Sequence, residues 1–326
     1  SVIAGPNDLK TMSAPLNLFC AIIATLLQLA ALSKLYGAAE PPDFYIIGVQ
    51  KCGTTSLYDM IMTHPELCTS KAKEPHFFDS KFDRGPEFWP KLFYTNCSGP
   101  FVDATPAYFT VPEVPIRMYQ SFPPETHSRK RFVVILRDPV ARMFSWYNHN
   151  MNYCIAKRAK YFYTQMAEAK KSMPKAGWDL NATGLCLEKH CAYLHCGQHG
   201  NNLVPGKEKN VLDTFAQFAA SPSAKEATGF YSSNLAHWLT HFRRNQILIL
   251  NFENVLQDPA ATANAIAAFF NLSHGFPANT TLPHANNALF KTVLDCATRD
   301  KLVKRYAEHV ADLYDYMERT PAADKP

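Results

Sequence analysis

This sequence lacks internal repeats and is poor in glycine, in charge and in long apolar runs. Glycine accounts for only 13 of 326 residues, which excludes a collagen-like chain. Charged residues make up 19% against 47% hydrophobic, too little charge and too much apolar surface for disorder along the whole length. Just one segment, the uncharged and mostly apolar Ala14 to Ser33, could span a bilayer, which argues against a polytopic membrane protein. Neither a C-x2-C pair nor a G-K-[ST] triplet occurs, so common zinc and nucleoside-triphosphate signatures are missing. The excess of positive charge is small: 33 Lys+Arg against 28 Asp+Glu leaves +5, which suits an anionic ligand without demanding nucleic acid.

The length supports one large domain or two small ones. The segment Ala14 to Ser33, flanked by Lys10 and Lys34, fits two secretory readings. One is the signal anchor of a single-pass protein with its bulk in the secretory lumen. The other is a cleaved signal peptide starting at Met12 and ending in Gly37, Ala38 and Ala39, which would give a secreted protein. A buried core helix is the third reading. Four N-x-Ser/Thr sequons, at Asn96, Asn181, Asn271 and Asn279, favour the secretory route. Nine cysteines, of which Cys20 lies in the apolar run, leave an even eight that is compatible with disulfides. Cys186, Cys191 and Cys196 interleave with His190, His195 and His199. Disulfides are favoured over zinc there, because the spacing is not that of a zinc site.

The sequence Ala38 to Asp43 reads as the end of a stem, so residues 1–42 are set apart from a domain over 43–318 and a tail over 319–326. Phe44–Val49, Phe101–Asp103, Phe132–Leu136 and Ile247–Leu250 are apolar runs of strand length without alternation. Such runs suit strands covered on both faces, as in a parallel sheet. Helical stripes follow at Leu235, Trp238, Leu239 and Phe242, and at Ala263, Ile266, Ala267 and Phe270. A third runs through Leu302, Val303, Tyr306, Val310, Leu313, Tyr314 and Met317. The pattern predicts a single α/β domain with a P-loop-like parallel sheet flanked by helices. Residues 150–229 read as an insertion over one end of the sheet, where binding loops often lie.

The sharpest motif is Gly48 to Ser56, GVQKCGTTS, between a strand and a helix. Backbone amides and a helix N-terminus in that context cradle phosphate. Lys51 sits two residues before Gly53, and Thr54 stands where a nucleoside-triphosphate loop has its lysine. The cation therefore meets a different oxygen. The second motif, Arg137 to Asn148, follows the strand FVVIL. Arg137 and Ser145, eight residues apart, project from the same side and can grip a phosphate. Asp138-Pro139 suits a helix start and also mimics a Mg2+ aspartate.

Together these loops resemble the sulfotransferase superfamily that uses 3′-phosphoadenosine 5′-phosphosulfate (PAPS). The segments KEPHFFD (Lys73 to Asp79) and DATPAYF (Asp103 to Phe109) are similar to Golgi-type carbohydrate sulfotransferases, such as heparan sulfate 3-O- and N-acetylgalactosamine 4-sulfate 6-O-sulfotransferases. The resemblance implies in-line sulfuryl transfer to a glycan hydroxyl, with release of 3′,5′-ADP and no metal. It implies donor binding by Lys51, Cys52, Gly53, Thr54, Thr55 and Ser56 at the 5′ side and by Arg137 and Ser145 at the 3′-phosphate. Tyr231 and Lys291 join the donor-binding candidates. Lys51 would also be catalytic, Glu74 the general base, and His76 the residue that supports it or positions the acceptor. Two departures stand out: Ala104 replaces a usual lysine, and no late K-G-R-type loop is evident, with Lys291 or Arg299 as stand-ins. A small-molecule alcohol or phenol is the alternative acceptor. A P-loop kinase and a non-enzymatic anion-binding protein are the readings from other classes.

Overall fold

The computed structural model describes residues 41–93, 97–150, 215–220, 226–283 and 294–319. Five parallel strands form one sheet: β1 (Phe44–Gly48), β2 (Cys68–Thr69), β3 (Phe101–Asp103), β4 (Arg131–Leu136) and β5 (Ile247–Asn251). Their order is β2-β3-β1-β4-β5. The chain leaves the central strand β1 for one edge, returns through β3, and then crosses to β4 and β5 on the other side. Ile46 pairs with Val133 and Phe44 with Val102, so β1 is hydrogen-bonded on both sides. The connections change direction beside β1, and ligands of open parallel sheets bind at carboxyl strand ends near such a reversal.

The continuous apolar runs have the expected cause. Phe44 stacks on Phe270 at 4.0 Å on one face, while Tyr45 meets Phe122 and Phe132 at 5.7 and 5.5 Å. Tyr45, Ile46, Ile47 and the four residues Phe132–Ile135 are fully buried. Burying one such side chain contributes about 1.5–3 kcal/mol, so β1 and β4 anchor the core.

The helices are α1 (Thr54–Ile61), α2 (Phe77–Ser80), α3 (Val114–Ser121), α4 (residues 139–150), α5 (Phe215–Ala220), α6 (Tyr231–Leu239), α7 (Phe252–Gln257), α8 (Pro259–Phe270) and α9 (Cys296–Arg319). Leu235, Trp238 and Phe242 are buried, as are Ala263, Ile266, Ala267 and Phe270. The third stripe is narrower than the sequence suggests. Leu302 and Tyr306 are buried, but Val303 and Tyr314 are exposed. Adjacent helical residues lie about 100° apart, so Leu302 and Val303 cannot both face the core. A smaller apolar cluster joins Val140, Met143 and Tyr147 of α4, Phe215 and Ala219 of α5, and Leu302 and Tyr306 of α9.

A disulfide joins Cys68 of β2 to Cys97, just before β3. Cys52 is a buried free thiol and Cys296 an exposed one. Asn271 and Asn279 are exposed; the sequons at Asn96 and Asn181 lie outside the described residues. So do the apolar segment 14–33, the cysteine–histidine cluster and most of the segment 150–229. Among the described residues, no helix is long and apolar enough to cross a membrane.

Candidate active site

The loop after β1 enters α1 through two left-handed residues, Lys51 at φ 71° and Gly53 at φ 88°. Such a backbone is strained for lysine and marks a site that the surroundings hold in place. At Gly53 a Cβ would come within 2.6 Å of the Phe252 ring, so only glycine lets the loop lie against α7. The first amides of a helix have no partner within it, so Thr54, Thr55 and Ser56 present theirs at the loop. The amide of Cys52 does not join them, because it donates to the Val49 carbonyl at 3.1 Å.

Lys51, Gly53, Thr54, Thr55, Ser56, Arg137 and Ser145 line one cleft of about 210 Å³ with Phe252, Leu256, Leu282 and Pro283. The sequence-predicted phosphate residues of β1–α1 and β4–α4 thus converge. Arg137 lies over the Phe252 ring at 4.8 Å, and its Nη1 donates to the Lys51 carbonyl at 3.4 Å. Its buried Nε has no hydrogen-bond partner. Burial, then the nearby Arg137 and Lys73 charges, hold the Lys51 pKa below its usual value. Two cations drawn together under partial burial, with an unanswered guanidinium N–H, form a site that favours an anion. The Asp138 carboxylate caps α4, accepting from Ala141 N at 2.7 Å.

Cys52 and Tyr231 lie beneath the cleft and do not line it. The Cys52 thiol is 3.9 Å from the Tyr231 hydroxyl, which donates to the Arg137 carbonyl at 2.9 Å. Burial pushes the Cys52 pKa up to about 12, so it stays a protonated thiol. Both residues support the two loops from below. Lys291 lies outside the described residues. Arg299 on α9 is largely exposed, 3.9 Å from Asp300, and does not line the cleft.

The segment after β2 brings a second group to the same end of the sheet. Lys73 Nζ donates to Thr55 Oγ1 at 2.8 Å and to Glu74 Oε1 at 3.0 Å. Glu74 Oε2 is 3.3 Å from His76 Nε2, and His76 Nδ1 is 2.7 Å from Asp79 Oδ2. His76 adopts φ 55°, ψ 40°, which turns its ring between the two carboxylates. The hydrogen bonds to Asp79 and then Glu74 raise the His76 pKa to about 9. Burial acts to raise the Glu74 pKa, but His76 and Lys73 outweigh it and the net shift is downward. Glu74 is therefore a carboxylate at neutral pH, and His76 an imidazolium.

The DATPAYF segment is the scaffold for this group. Thr105 Oγ1 accepts from the His76 amide at 3.2 Å and donates to Asp103 Oδ1 at 2.7 Å. Tyr108 Oη donates to Asp103 Oδ2 at 2.9 Å and accepts from the Phe77 amide at 3.0 Å. Burial pushes the Asp103 pKa up to about 7 despite these bonds. The sequence reading missed Asp79, although its place three residues after His76 on one helical turn was a usable signal. It also missed the apolar wall of Phe252, Leu256, Leu282 and Pro283, which only long-range packing assembles.

The parallel sheet, phosphate-type loop and ionised carboxylate–imidazolium group at its carboxyl edge define a group-transfer enzyme fold. The sulfotransferase domain family matches residues 41–293, and the chain belongs to that family. It is 28% identical to human heparan sulfate glucosamine 3-O-sulfotransferase 3B1 over 255 residues, covering 74% of this chain and 52% of that protein. It is 26% identical to human bifunctional heparan sulfate N-deacetylase/N-sulfotransferase 3 over 254 residues, covering 75% of this chain and 23% of that protein. The chain thus spans about half the length, or less, of these two relatives. A crystal structure of a sulfotransferase from Alicyclobacillus acidocaldarius shares the fold at TM-score 0.53 and 20% identity, covering 87% of this chain and 99% of that one.

Proposed function

We propose that this sulfotransferase moves the sulfuryl group of PAPS to a hydroxyl of a glycan and releases 3′,5′-ADP. One observation carries the reading: Thr55 of the anion cleft and the carboxylate Glu74 are joined through a single ammonium, Lys73, so donor loop and base share one reaction space. The donor supplies a sulfuryl group on an anhydride oxygen that leaves as phosphate. Lys51 neutralises the charge that develops on that oxygen. The amides of Gly53 and the first turn of α1, with the Thr54, Thr55 and Ser56 hydroxyls, hold the 5′-phosphate. Arg137, whose Nε is free to donate, and Ser145 hold the 3′-phosphate. Phe252 and Leu256 offer an apolar wall for the purine.

Glu74 accepts the proton of the attacking hydroxyl. His76, fixed by Asp79, orients that carboxylate. Positioning and charge stabilisation dominate this kind of transfer, and the residues present meet both needs without a metal. Glycan acceptors are supported by the two relatives named for heparan sulfate. A Golgi-lumen location belongs to the same reading; the disulfide and the exposed Asn271 and Asn279 sequons support it.

The test is transfer of labelled sulfate from PAPS to a panel of desulfated and sulfated glycans, with simple alcohols and phenols alongside. Label on at least one glycan, dependent on PAPS, is the expected result. Label on phenols and on no glycan would replace the acceptor class with small molecules.

A further inference from the structure

Lys73 joins the donor loop to Glu74, and its side chain has as yet no step of the transfer assigned to it. It reaches away from solvent rather than along the surface: its ammonium lies between Thr55 Oγ1 at 2.8 Å and Glu74 Oε1 at 3.0 Å. Lys71, two residues earlier, turns outward to the Lys91 carbonyl at 2.9 Å. Lys73 is held in place by its own backbone, whose carbonyl accepts from the Ala104 amide at 3.3 Å. Positions 73 and 104 are therefore neighbours across the β2 and β3 ends. Ala104 is fully buried and brings no charge, so Lys73 is the cation at this pair of strand ends.

We infer that Lys73 is a catalytic cation that contacts the sulfuryl oxygens during transfer. The inference rests on the PAPS reading above. During transfer the acceptor oxygen forms its bond to sulfur as the bond to the anhydride oxygen breaks. The acceptor proton goes to Glu74, and the electron pair leaves with the phosphate oxygen. The sulfuryl group must pass between the Thr55 side of the cleft and Glu74, which is where the Lys73 ammonium sits. Its charge meets the non-bridging oxygens, while Lys51 meets the leaving oxygen from the other loop. Lys73 stays protonated throughout, so the step needs no further reactant. The same ammonium holds Glu74 Oε1 and so aims the base.

The experiment uses the full chain with labelled PAPS, its best acceptor, and calorimetry with 3′,5′-ADP. Lys73→Met should lower kcat about 100-fold, the scale of removing one charge-stabilising donor, and leave 3′,5′-ADP affinity unchanged. Lys73→Arg should retain part of the activity. Parental kcat in Lys73→Met would overturn the inference. A loss confined to 3′,5′-ADP affinity would also overturn it, by making Lys73 a prop for Thr55. If Lys73→Met fails to fold, Lys73→Arg decides: a folded but inactive Lys73→Arg contradicts the role. Absence of any PAPS-dependent transfer in the parent would instead remove the functional reading itself.

Discussion

Glu74→Gln should lower kcat by about 100- to 10,000-fold while binding of 3′,5′-ADP stays intact, the range that a positioned general base contributes. The substitution keeps the shape and the hydrogen bond toward Lys73 but removes the basic oxygen. A base withdraws its proton only in the transition state, so the loss belongs in kcat rather than in donor affinity. The pH profile carries a second signature. Glu74 lies below the ordinary carboxylate pKa, so activity should persist into mildly acid solution and fall only as that carboxylate protonates. His76 has its pKa raised to about 9, above the ordinary 6.5. Its ion pairs therefore stabilise the fold fully below pH 6.5, and that contribution is lost as the pH rises through about 9. Activity should decline over the same alkaline window as Glu74 loses its charged partner. Near-parental turnover of Glu74→Gln, measured at saturating donor and acceptor, would move the base elsewhere.

Lys51→Ala should cost about 100- to 1,000-fold in kcat, the scale of one lost donor at a developing negative charge. Affinity for the donor should change much less. The Lys51 backbone sits in the left-handed region and is held there by the loop, so alanine inherits the strain without the charge. Circular dichroism and the melting temperature check that the fold survives. A variant whose entire defect is a higher KM for PAPS would make Lys51 a binding residue and contradict its role at the leaving oxygen.

The extent to which this site was legible in the sequence differs residue by residue, for physical reasons. GVQKCGTTS was readable because a buried strand, glycines at a fixed spacing and a helix start are all local features. Arg137 and Ser145 were readable because a buried strand end and the helix that directly follows it carry them. The parallel sheet followed from strands without alternation. The two-residue strand β2 was not visible, since it is too short for any period to show. The Cys68–Cys97 pairing depends on where β2 and β3 meet, which no spacing rule contains. Cys52 and Tyr231 were among the donor-binding candidates, yet both are buried and neither lines the cleft. The exposed Val303 and Tyr314 show the reverse error, in which an apolar residue near a stripe is taken for part of it. Lys73 carried no role in the sequence reading; only its contact to Thr55, 18 residues earlier in the chain, places it in the reaction space.

The most direct test of the central claim is a binding comparison of 3′,5′-ADP, 5′-AMP and Mg-ATP by thermal shift, run on the parent and on Arg137→Ala. A ligand at about 100 times its Kd adds about 2.7 kcal/mol to the stability of the folded state. The account predicts that 3′,5′-ADP stabilises the parent, that 5′-AMP and Mg-ATP do so far less, and that Arg137→Ala loses most of the preference. A charge-assisted bond of this kind is worth about 1.5–3 kcal/mol, so the affinity loss should be about ten- to a hundredfold. Equal stabilisation by Mg-ATP, or an undiminished preference for 3′,5′-ADP in Arg137→Ala, would contradict the assignment of this cleft to a 3′-phosphorylated sulfate donor.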